Sequence, residues 1–123
     1  MTIKEALALV DELKPNGFSP TVKIRWLSEL DGMIYQGLVQ THEGNDDIEN
    51  PHYTAETDLD TTLIAEHPYD RLYVTWLESR IDYYNYDIAM LNNSNAAFQT
   101  EYQEYAAWYN RTYRPLGEKW KFF

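Results

Sequence analysis

Apolar positions recur along this chain at helical spacing, and nowhere do they alternate with period two over a useful length. Ile3, Ala6, Leu7, Val10 and Leu13 form one apolar stripe. Thr2 stands where it can cap that stripe, and Glu5, three residues on, completes a capping box. Pro15-Asn16-Gly17 stops this first helix near Lys14. Ser19-Pro20 restarts one, with serine as the cap and proline at the first helical position. The second helix is expected to run to about His42. Ile24, Leu27, Ile34 and Leu38 line one side of it, and Trp26, Leu30 and Met33 widen that side. Gly32 and Gly37 each cost about 1 kcal/mol relative to alanine inside a helix. They serve either close packing or a bend around Asp31-Gly32.

Residues 43–62 differ in kind. They hold Glu43, Asp46, Asp47, Glu49, Glu56, Asp58 and Asp60, with no lysine or arginine and no helical stripe. A long acidic surface loop is expected there, with Leu63-Ile64-Ala65 packing as a short extended piece. His67-Pro68 ends the loop, because the residue before proline avoids helix geometry. A third helix follows, with Leu72, Trp76, Leu77, Ile81, Tyr84, Ile88 and Leu91 as its core face.

A seven-residue repeat then runs without a slip through Leu77, Ile81, Tyr84, Ile88, Leu91, Asn95, Phe98, Tyr102, Tyr105 and Tyr109. Such a face wants a partner along its whole length. Asn92-Asn93-Ser94 is a poor helix interior and a fair cap. A break or bend is therefore expected at Asn92–Ser94, in preference to a continuous rod. A last helical segment over 95–113 would fold back on the bundle. The expected architecture is a single all-α domain over residues 1–123: three to four helices, a long acidic loop (43–62) between helices two and three, and a short C-terminal tail (114–123).

Composition narrows the chemistry. A chain of 123 residues with 44% apolar content fits one modest core. The absence of cysteine excludes disulfides and thiolate metal sites. No apolar run approaches the roughly 20 residues that span a bilayer, so a soluble chain, cytosolic when made, is expected. The net charge of −10 argues against general nucleic-acid binding. Arg111, Arg114, Lys119 and Lys121 against Glu118 give residues 111–123 a balance of +3, which leaves −13 on residues 1–110. Either this basic tail has its own partner or it folds back on its own acidic body. Eleven tyrosines, seven of them between Tyr83 and Tyr113, suit half-buried helix surfaces and interfaces.

Phosphate-cradling and nucleophile-elbow motifs are absent. His42, His52 and His67 lie in or beside the acidic loop, but their spacing matches no tight metal template, and solvated loop side chains are the simpler reading. Glu56, Asp58 and Asp60 lack the central glycine of an EF-hand loop and support at most a weak cation site. Glu78, Asp82 and Asp87 read as a polar helix face moderated by Arg71 and Arg80. No residue earns a catalytic role, and no metal or cofactor is expected. An enzyme built on the histidine and carboxylate loop is the weakest reading; a metal retained through dialysis would revive it.

Three stretches carry a resemblance. They are Lys23-Ile24-Arg25-Trp26-Leu27-Ser28-Glu29-Leu30-Asp31-Gly32, then His67-Pro68-Tyr69-Asp70-Arg71-Leu72-Tyr73 through Ile81-Asp82-Tyr83-Tyr84-Asn85, then Ala107-Trp108-Tyr109-Asn110-Arg111-Thr112. The chain resembles the head–tail connector, or head-completion adaptor, family of tailed phages and prophages of Gram-positive bacteria. The resemblance implies an all-α fold and a ring of copies beneath the portal. That ring extends the DNA channel, lets DNA pass without specific binding, and offers a platform to the next connector component. It implies the host cytoplasm during assembly and the virion head–tail junction afterwards, with no membrane role. Shorter relatives stop before the segment 95–113. A helical oligomeric accessory protein of a prophage, outside the connector, explains the heptad and the acidity equally well. The tail pairs basic and aromatic groups in Arg114, Lys119, Trp120, Lys121, Phe122 and Phe123. These are the expected contacts to the portal or a neighbouring subunit.

Overall fold

The structure, a computed structural model, describes residues 1–116. Four helices account for most of the described chain: α1 (Ile3–Leu13), α2 (Pro20–Ile34), α3 (Arg71–Tyr84) and α4 (Ile88–Thr112). Beyond them the described residues hold only turns, one π-helical turn and two isolated bridges, so the protein is an all-helical bundle.

The first two helices start as their caps require. Thr2 Oγ1 accepts the Glu5 N–H (3.1 Å), and Ser19 Oγ accepts the Val22 N–H (3.3 Å) with Pro20 opening α2. A Cβ at Gly32 would meet nothing within 4 Å, so this glycine is not there for close packing. The departure from α geometry lies further on, in a π-helical turn at Tyr35–Val39, where Gln40 N–H reaches back to the Tyr35 carbonyl (2.7 Å).

The helices run up, down, up, down. The turn between α1 and α2 meets the turn between α3 and α4, as Lys14 Nζ bonds Asp82 Oδ1 (2.6 Å) and Phe18 packs against Tyr84 (ring centroids 6.5 Å apart). At the opposite end, Ile3 N–H donates to Thr61 O (3.0 Å), and Glu43 N–H to Arg114 O (2.9 Å). The start of α1, residues 40–70 and the end of α4 therefore share one end of the bundle. Helices α3 and α4 form an antiparallel hairpin: Trp76 packs on Phe98, Thr75 bonds Glu101 and Asp82 bonds Ser94. Burial falls on one cluster, in which Ile3, Val10, Leu27, Leu30, Leu72 and Leu77 are wholly enclosed.

The break in the heptad is not at Asn92–Ser94, which lies inside α4. It falls at Asn85–Asp87. There Tyr86 N–H bonds Tyr83 O (3.2 Å) and Asp87 N–H bonds Asp82 O (3.0 Å), with Tyr86 in the left-handed region at φ 58°. This is a Schellman stop in which tyrosine takes the place usual for glycine. Asp87 then caps α4 by accepting the Met90 N–H (3.1 Å). Ser94 is tolerated in the helix interior because its hydroxyl reaches Asp82 Oδ2 (2.8 Å) across the hairpin. Other expected core positions are corrected too. Tyr84 and Ile88 are exposed at the turn instead of forming a core face, and Leu13 and Met33 also stand outside the core.

Candidate functional site

Two features stand out: a buried polar junction, and an apolar end where the two short turns meet. The junction centres on Asp31, which is 0% exposed. Its position follows from α2 itself: Asp31 stands four residues after Leu27 and three before Ile34, on the buried stripe. Tyr53 Oη donates to Oδ2 and Tyr73 Oη to Oδ1, each at 2.6 Å, and Ile64 N–H donates to Oδ2 (3.1 Å). Tyr73 Oη in turn accepts the Ala65 N–H (2.7 Å), and Tyr53 N–H donates to Ser28 Oγ (2.9 Å). One carboxylate thus ties α2 and α3 to residues 53–65. Burial pushes the Asp31 carboxyl above its ordinary range, against three hydrogen bonds that pull it down. Burial, and then the Asp31 charge, push the Tyr73 hydroxyl well up, so it stays a donor. All the strong donors and acceptors here are occupied by one another, which suits a fixed junction.

A second buried carboxylate corrects an expectation. Asp82 is not on a solvated polar face; it is buried between Lys14 and Ser94 and links α1, α3 and α4. Its ion pair is with Lys14, while Arg80 lies over the rings of Trp76 (4.5 Å) and Tyr83 (5.2 Å). Burial raises the Glu78 carboxyl. His42 likewise is no solvated side chain. It is buried, with Nδ1 against Leu38 O (2.5 Å), Nε2 against the Asn110 amide (2.7 Å), and its ring edge-on to Tyr109. His52 and His67 are exposed. Among the described residues no group of three or more histidines and carboxylates is placed to hold a metal. None of the described helices is long and apolar enough to cross a membrane.

The apolar end was not foreseen from the sequence. Tyr86 is 89% exposed and Ile88 72%, and Tyr83, Tyr84 and Met90 stand out beside them. Tyr84 stacks on Trp26 (ring centroids 5.5 Å, planes 8° apart), which holds it in place. A groove of about 420 Å³ runs between Tyr83, Tyr84, Tyr86, Ile88 and Leu91, with Asp82 and Asp87 at its edges. The clue in the sequence was Asn85-Tyr86-Asp87: a turn residue and a good cap at a point where the heptad already skips four positions.

Of the tail residues expected to bind a partner, Arg114 is exposed, and its carbonyl accepts from Glu43 N–H. Leu116 N–H donates to Thr41 O (2.8 Å), and His42 bridges Pro115. Residues 113–116 thus fold back on their own body. Lys119, Trp120, Lys121, Phe122 and Phe123 lie outside the described residues. No family model, curated protein or solved structure matches the chain.

Proposed function

We propose that this chain is a structural virion protein, a head–tail connector adaptor. It forms a ring beneath the portal, extends the DNA channel and presents a platform to the next connector component. Its mechanism is assembly and not catalysis. The observation that carries this reading is the exposed apolar end at Tyr83, Tyr84, Tyr86, Ile88 and Met90, on a helical bundle whose surface is otherwise rich in carboxylates. A lone small domain has little use for such a patch, and an assembling one needs it. The three stretches that resemble connector adaptors also hold the contacts that build this bundle, among them Asp31–Tyr73 and the bond from Trp76 Nε1 to Trp26 O (2.8 Å). The negative body, densest in the acidic loop 43–62, repels passing DNA and so avoids gripping it. On this reading the chain works in the host cytoplasm during assembly and at the head–tail junction afterwards.

Co-purification with the portal protein, followed by electron microscopy of labelled particles, tests this reading. A ring under the portal is expected; particles whose junction lacks the chain, or a ring with a predominantly basic inner wall, would overturn it. Beyond the folded-back residues 113–116, the segment 117–123 supplies the contacts to portal or neighbour. Because Leu116 is bonded to Thr41, the informative truncation removes residues 117–123 only. Assembly should be lost with helix content, read by circular dichroism, unchanged. The same apolar end also suits an oligomeric accessory protein outside the connector, which a stable dimer in solution that ignores the portal would favour.

A further inference from the structure

The apolar end and Leu116, the last described residue of the tail, lie at opposite ends of this bundle. Ile88 begins α4 at the groove, and α4 runs 25 residues to Thr112, so the helix is about 37 Å long at 1.5 Å per residue. The described chain then turns onto Thr41–Glu43 and reaches Leu116 at that far end. The seven residues after it span at most about 25 Å even when fully extended. Trp120, four residues after Leu116, can lie at most about 14 Å from it, so the segment cannot seat all its aromatic anchors in the groove of its own subunit. We infer that the groove at the α3–α4 turn receives residues 117–123 of a second copy, so that subunits join head to tail.

The chemistry of the two parts agrees. Trp120, Phe122 and Phe123 supply aromatic anchors for a groove walled by Tyr84, Tyr86, Ile88 and Leu91. Lys119 and Lys121 flank Trp120, and Asp87 stands at the groove's edge with no ion-pair partner among the described residues. A contact between two different surfaces repeats from copy to copy and closes into a ring when the rotation allows. This inference deepens the assembly reading above and rests on it for ring closure. The contact itself does not need the portal.

The test uses a fluorescein-labelled synthetic peptide of residues 117–123 titrated with the full chain and followed by anisotropy. Saturable binding is expected, weakened at least tenfold by Ile88→Glu. Glutamate at the first position of α4 suits the helix dipole, so this variant keeps the fold, which circular dichroism checks. The pair Asp46→Asn and Asp47→Asn should leave binding unchanged. As a second measurement, Ile88→Glu mixed with the chain lacking residues 117–123 should give a one-to-one heterodimer and nothing larger by sedimentation. Absence of saturable peptide binding, binding indifferent to Ile88→Glu, or binding lost with the two loop carboxylates overturns the inference; the last would assign the tail to the acidic loop. A ring on the portal without peptide binding sinks this contact alone, whereas peptide binding without any portal association sinks the connector reading alone.

Discussion

Asp31 shows how much one residue can organise. Among the described residues its carboxylate is held by no cation, only by two phenols and a backbone N–H. Its folded-state pKa lies above the unfolded one, so the native state holds its proton to higher pH. The contribution of this group to stability is therefore greatest in acid and falls as pH rises through the raised value. Tyr73→Phe removes a bond that lowers the Asp31 pKa and leaves the Ala65 N–H without its acceptor. The variant should lose about 1–3 kcal/mol at neutral pH. That loss should shrink as the pH falls through the raised Asp31 value, because the bond from Tyr73 favours the ionised carboxylate. Urea unfolding on either side of that value measures it, and a loss independent of pH would show that Asp31 is not what Tyr73 serves.

At the scale of elements, the helices were legible and their junctions less so. Both N-terminal caps were readable because serine, threonine and proline act locally, within one turn. The α3–α4 break was misplaced because its stop uses tyrosine where glycine is usual, while Asn92-Asn93-Ser94 offered a louder local signal. That signal was overridden by a tertiary contact, Ser94 to Asp82, which no local pattern reveals. The heptad kept its phase through the turn because Asn85–Asp87 fit inside the one four-residue step from Tyr84 to Ile88. Both helices of the hairpin face each other, so the two halves of the seam are real and only their continuity was illusory. The left-handed φ at Tyr86 costs about 1 kcal/mol that glycine would not incur. Tyr86→Gly should therefore raise stability by up to about that amount in dilute solution, as read by thermal unfolding. An unchanged or lower midpoint would mean that the ring contributes packing that offsets its strain.

For the molecule as a whole, the sorting of its ends was out of reach of the sequence. Whether two short turns meet depends on the direction in which each helix pair packs, and apolar spacing does not encode that direction. The exposed groove at Ile88 was hidden as well, because Tyr84, Ile88 and Leu91 in its wall sit in heptad phase and read as core. The tail's composition was legible, and the fold adds where it departs, at the end remote from the groove. Of the two alternatives for the basic segment, residues 113–116 take the fold-back onto their own body.

The pinning of residues 40–70 at Tyr53 and at Ile64–Ala65 has a consequence for how the chain can be divided. That stretch contains no lysine or arginine, so trypsin has no site in it, while a glutamate-specific protease finds Glu49 and Glu56 exposed. A single cut there yields two helical hairpins, α1–α2 and α3–α4. They remain joined through Trp26–Trp76, Asp31–Tyr73 and Lys14–Asp82. The nicked protein should elute from a sizing column as one species and separate only in denaturant. Fragments that part on cutting would refute this. Held together, they make the chain a natural split protein, whose halves can be expressed apart and recombined to report on one another.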